Sequence, residues 1–86
     1  MDNSQRIERM QQLITEQLQP SKLEIIDESH LHAGHAGAKE GKGHFKVRIA
    51  SEIFAGIKPL QRHRLIFDSL GDMMSTDIHA LSIEIL

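Results

Sequence analysis

The chain has 86 residues, 40% of them hydrophobic and 26% charged, which suffices for one compact domain with a modest core and not for two. It has no cysteine, which excludes a disulfide framework, a thiolate nucleophile, a cysteine-based zinc site and an iron–sulfur cluster held by its own thiolates. The net charge of -2 conceals three blocks, -3 over residues 1 to 30, +5 over 31 to 64 and -4 over 65 to 86, so an acidic partner is drawn to the middle third. No run of eighteen apolar residues and no basic, apolar leader is present, and the expectation is a cytoplasmic protein with no membrane span.

In chain order, Asp2 and Gln5 have the spacing of a capping box, and Ile7, Met10, Ile14 and Leu18 recur on one helical face until Pro20 ends the pattern. Arg6, Glu8, Arg9 and Glu16 are expected on its solvated side. Lys22 to Glu28, with Leu23, Ile25 and Ile26, reads as a strand. From Ser29 to His44 the chain holds four of the six histidines and four of the six glycines, with no large apolar side chain between Gly34 and Gly43. This predicts a mobile loop rich in imidazole, the neutral ligand and proton carrier of physiological pH. His44 to Ala50 then alternates: Phe45, Val47 and Ile49 point one way, and His44, Lys46 and Arg48 the other, with His44 expected in solvent. Two strands joined so directly form an antiparallel hairpin.

Pro59 opens a second helix, PLQRHRLIFDSLGDMM, whose stripe of His63, Ile66, Phe67, Leu70, Met73 and Met74 covers the sheet. Gly71 weakens it by about 1 kcal/mol relative to alanine and has no role in this pattern. Ile78 to Leu86 is a third strand in which Leu81, Ile83 and Ile85 share a face with His79. A strand, helix and strand in succession make a crossover, so the third strand is expected parallel to the second, starting at the same end. That brings His79 to the loop, within reach of His30, His32 or His35. His63 lies about eleven residues, or roughly 16 Å, before the end of its helix and falls outside the cluster.

Three chemistries suit these residues. Clustered imidazoles bind zinc, copper or nickel. Lys39, Lys42, Lys46, Arg48, Lys58, Arg62 and Arg64 form a basic surface for nucleic acid, although all three phenylalanines fall at expected core positions and leave no stacking platform. An enzyme is not expected, because the chain has no activated-serine elbow, no phosphate loop and no acid–base carboxylate pair.

The third chemistry follows from a resemblance. ESHLHAGH at Glu28 to His35, GHFKVRIAS at Gly43 to Ser51, F-A-G at Phe54 to Gly56, QRHRLIF at Gln61 to Phe67 and HALSI at His79 to Ile83 together resemble the BolA family over nearly the whole chain. The resemblance implies a single domain over residues 1–86 with an α+β, class II KH-like fold. Its elements run helix-strand-strand-helix-strand, with the helices on one face of a three-stranded mixed sheet. The KH clamp itself is missing, since Ile57, Lys58 and Pro59 follow Gly56 where G-x-x-G requires a second glycine. The family further implies a heterodimer with a monothiol glutaredoxin around a bridging 2Fe-2S cluster. His79, which opens HAL, is then a ligand, and the second comes from the loop, His32 by position, with His30 and His35 as competitors. A glutaredoxin cysteine and glutathione supply the thiolates, as imidazole replaces thiolate on one iron of a Rieske centre. The isolated chain is expected to be a monomer without a cluster. Some members are described as transcriptional regulators, which makes Arg62, His63, Arg64, Lys46 and Arg48 the residues expected to contact a partner or DNA.

Overall fold

The computed structural model describes residues 2–29 and 42–86. His30, His32, His35 and Lys39, and the mobility expected of their loop, lie outside the described residues.

Helix α1 spans Asn3–Leu18. It begins at the expected capping box: Gln5 N–H donates to Asp2 Oδ1 at 2.9 Å, and Asp2 N–H donates to Gln5 Oε1 at 3.0 Å. Gln19 follows in the left-handed region with φ 45°, and Pro20 keeps the chain from resuming the helix. Strand β1, Lys22–Asp27, pairs antiparallel with β2, Gly43–Ala50, placing Leu23 opposite Ile49 and Ile25 opposite Val47. A 3-10 turn, Glu52–Phe54, buries Phe54, and Ser51 Oγ donates to Leu18 O at 2.6 Å, tying this corner to the end of α1. Helix α2 spans Pro59–Leu70, a short helix α3 spans Met73–Thr76, and β3 spans Ile78–Ile85. Strand β3 is parallel to β2 and the sheet order is β1-β2-β3. Met10, Ile14 and Leu18 from α1, and Ile66, Leu70 and Met73 from α2 and α3, close over Phe45, Val47 and Ile49 in one core. The α+β architecture with a three-stranded mixed sheet is therefore the one expected.

Four local expectations are corrected. Gly71 has a role after all: with φ +55° it ends α2, so the single helix expected through Met74 is two. Phe67 is 36% exposed, because the buried face of α2 runs through Ile66, Ser69 and Leu70 and Phe67 lies off it. Arg6 is not solvated; its side chain is drawn in by Asp77 and is 12% exposed. The fourth correction concerns both strand-end histidines. Gly43 pairs with Ile78 but His44 pairs with Ala80, so β3 carries one extra residue, His79, at this point. A bulge of this kind reverses the alternation. Ile78 is buried, Leu81, Ile83 and Ile85 resume the inward face, and His79 leaves the face it was expected to share with them and becomes exposed. His44 does lie on the side opposite Phe45, but it is 2% exposed rather than solvated, and the ring of His79 lies against it.

Gly43 marks the tightest point of this end. A Cβ there would overlap the ring of Phe45, itself 1% exposed, and come within 3.0 Å of Asn3 Oδ1. Gly43→Ala is expected to cost about 1–3 kcal/mol, as overpacking does, seen as a lower urea midpoint at unchanged slope.

Candidate functional site

The site is built where β1 ends and β2 and β3 begin. Asp27 closes β1 with an Asx-turn, its Oδ1 accepting from Ser29 N–H at 2.8 Å. Asn3, in the first turn of α1, reaches across with both amide hydrogens, to Asp27 Oδ2 at 3.1 Å and to Ser29 Oγ at 3.1 Å. Its Oδ1 accepts from Arg6 Nη1 at 2.9 Å. The Asn3 amide thus uses both donors and its acceptor. Ser29 Oγ also accepts from His44 N–H at 3.0 Å, and His44 O accepts from Glu28 N–H at 2.8 Å, so the first turn of α1 holds the start of β2 through Ser29.

Arg6 extends the network to β3. Its Nε donates to Asp77 Oδ1 at 3.2 Å, with the two side chains 12% and 16% exposed, and Asp77 O accepts from Gly43 N–H at 2.9 Å. Burial alone would raise the Asp77 carboxyl, but hydrogen bonds from Thr76 and Arg6 and the Arg6 charge outweigh it and hold the group below its ordinary range. Two residues on, the bulge sets His79 against His44 with ring centroids 4.9 Å apart and planes tilted by 53°. His79 is exposed and His44 buried, so the pair presents one imidazole outward and keeps the other beneath it.

His79 therefore stands where expected, at the end of the sheet to which Ser29 and Lys42 lead. Its expected companions His30, His32 and His35 lie outside the described residues. Among the described residues no three histidine, aspartate or glutamate side chains gather as a metal site. An exposed imidazole there offers one donor, and a metal bound to it needs further ligands from elsewhere. The residues that hold this end, Asn3, Arg6, Ser29 and Asp77, were not singled out from sequence. Asp-x-Ser at the end of β1 was the available signal, since it is the pattern of an Asx-turn.

The expected basic contacts divide. Arg48 lies between Glu24 on β1 and Glu84 on β3, donating to Glu24 Oε1 at 2.8 Å and, through Nε, to Glu84. These hydrogen bonds, that of Glu84 foremost, raise the guanidinium further, and Arg48 in turn holds the Glu84 carboxyl below its ordinary range. Lys46 is half-buried between Ile26 and Ser82. Arg62 Nε donates to Ile57 O at 2.6 Å and so braces the turn before α2. Arg64 is exposed on α2 and His63 half-buried there. No described helix is long and apolar enough to cross a membrane.

The family model described as BolA-like protein matches residues 14–86. The chain is 42% identical over 81 residues to Protein BOLA1, chloroplastic, of Arabidopsis thaliana, covering 91% of this chain and 51% of that protein. It is 40% identical over 76 residues to the DNA-binding transcriptional regulator BolA of Escherichia coli, covering 88% of this chain and 70% of that one. Among solved structures it resembles the BolA domain of SufE1 from Arabidopsis thaliana, with a TM-score of 0.80 and 39% identity over 93% of this chain and 88% of that one. Several curated relatives are longer, and the chain spans about half their length or less.

Ser29→Ala removes the acceptor shared by the His44 amide and Asn3. The expected cost is about 1–3 kcal/mol, since a shielded donor loses its partner, together with faster hydrogen exchange at the His44 amide than at amides in the middle of β2. Chemical denaturation and amide exchange followed by NMR measure the two effects.

Proposed function

Since the chain belongs to the BolA family, we propose that it is the partner of a monothiol glutaredoxin, with which it shares a bridging 2Fe-2S cluster in iron–sulfur trafficking or iron and redox regulation. The observation that carries this reading is the position of His79: the bulge turns it out of the core face and leaves it exposed at the end of the sheet that leads into the histidine-rich segment. His79 supplies one neutral imidazole, and His32, or in its place His30 or His35, supplies another. With no cysteine in the chain, the thiolates come from the glutaredoxin and from glutathione. The role is one of binding, exercised in the cytoplasm, and no residue of the chain is given a catalytic step.

A second reading, a DNA-binding regulator, is favoured by the likeness to the DNA-binding transcriptional regulator BolA of Escherichia coli. Its contacts would come from the α2 side, from Lys58, Arg64 and His63, because Arg48 and Arg62 are engaged within the chain. Such a surface gives salt-sensitive affinity with little selectivity.

Titration with cluster-loaded monothiol glutaredoxin is expected to change the visible absorption and circular dichroism, and His79→Ala to abolish most of that change. An unchanged spectrum with the intact chain would overturn the reading. Because only deprotonated imidazole ligates, complex formation is expected to weaken below about pH 6. For the second reading, filter binding of duplex DNA across a salt series decides: no retention at about 0.1 M salt removes it.

A further inference from the structure

The reading above gives His79 a ligand's part and leaves His44 with none. We propose that His44 is a positioning residue for His79, a buried aromatic wall that holds the exposed ring in the orientation in which it meets an incoming metal centre. The proposal rests on the ligand role of His79.

Three observations carry it. The two rings lie 4.9 Å apart at 53°, a contact that restricts how the His79 ring can turn. The root of His44 is immobilised from two sides: its N–H is held by Ser29 Oγ at 3.0 Å, its C=O accepts from Glu28 N–H at 2.8 Å, and it pairs across the sheet with Ala80. His79 is the extra residue of a bulge, a place where the ladder is interrupted and an exposed side chain is least constrained by its own strand. A rigid ring therefore stands beside a loosely rooted one.

Burial also says why His44 positions and does not ligate. The residue is 2% exposed and both its ring nitrogens are shielded from solvent, so neither faces a metal arriving on a partner. His79 alone of the pair presents itself outward. Preorganising that ring reduces the ordering needed at the moment of binding. The Asn3–Ser29 hydrogen bond becomes part of the same device, because Ser29 sets the backbone from which the wall rises.

The test uses the full chain with cluster-loaded monothiol glutaredoxin and three variants. His44→Phe keeps an aromatic wall without nitrogens and is expected to retain the wild-type visible circular dichroism, with affinity within about twofold. His44→Ala removes the wall and is expected to weaken binding by about tenfold, with an altered dichroism spectrum, while His79→Ala abolishes the signal. Should His44→Ala fail to fold, His44→Leu fills the volume without an aromatic face and carries the same expectation. In the chain alone, the imidazole nitrogen and carbon resonances of His79 are expected to move in His44→Ala and to stay near their wild-type positions in His44→Phe. Loss of the cluster signal in His44→Phe, as complete as in His79→Ala, would make His44 a ligand and overturn the proposal. Wild-type affinity and unmoved His79 resonances in His44→Ala would overturn it as well. If the intact chain gives no spectral change with glutaredoxin, the earlier reading fails, and the resonances of the isolated chain still decide whether His44 orients His79.

Discussion

The hydrogen bonds around Ser29 are the constraint on which this end of the molecule depends. Three strand ends meet there, and strand ends are where backbone groups run out of ladder partners. Asn3 and Arg6, one turn apart on α1, supply what the ladder does not. Asn3 holds β1 through Asp27 and Ser29, Ser29 holds β2 through the His44 amide, and Arg6 holds the start of β3 through Asp77. The capping box at Asp2 and Gln5 serves the same end, because it fixes where the first turn of α1 begins and so where Asn3 and Arg6 stand. Gly43 completes the arrangement by leaving room for Phe45 beneath it.

Charge on the uncovered face of the sheet is balanced locally. Arg48 is flanked by a glutamate on each neighbouring strand, an opposite-charge row of the kind that stabilises cross-strand pairs modestly in solvent. The excess of positive charge that the middle third shows as a linear sequence is thus partly cancelled in three dimensions by acids from the first and last thirds. Among the described residues, Lys58 and Arg64 are exposed toward α2 beside Leu60, which is 66% exposed.

The elements and their order were legible because they rest on periodicity and on strong punctuation: a capping box at the start of α1, Pro20 after its end, Pro59 at the start of α2, and clean alternation in β2. The parallel pairing of β2 and β3 followed from topology, and with it the placement of His79 at the loop end of the sheet. What was not legible was local geometry. Alternation carries a side-chain direction only while the register is unbroken, and one extra residue in β3 turned His79 from the inward face to the outward one and set it against His44. Nothing in HALSI announces that bulge. Gly71 was visible as a weak point, but a glycine inside an apolar stripe reads equally as a tolerated defect or as a stop, and only its positive φ distinguishes them. An arginine between the apolar positions of a helix is commonly solvated, and Arg6 departs from that because its partner Asp77 is 71 residues away in sequence.

Two histidines at one place are often read as two ligands, and burial argues for a division of labour instead. A ligand offered to a second protein has to be reachable, and it has to be directed as well. Exposure serves the first requirement and opposes the second, since an exposed side chain on an interrupted strand is free to turn. Placing a rigid ring directly behind the exposed one meets both, with His44 held by backbone hydrogen bonds on either side and His79 left outward. The polar contacts that anchor this end come from α1, the element furthest along the chain from β3, because an element outside the sheet can reach the end of β1 and the starts of β2 and β3 at once.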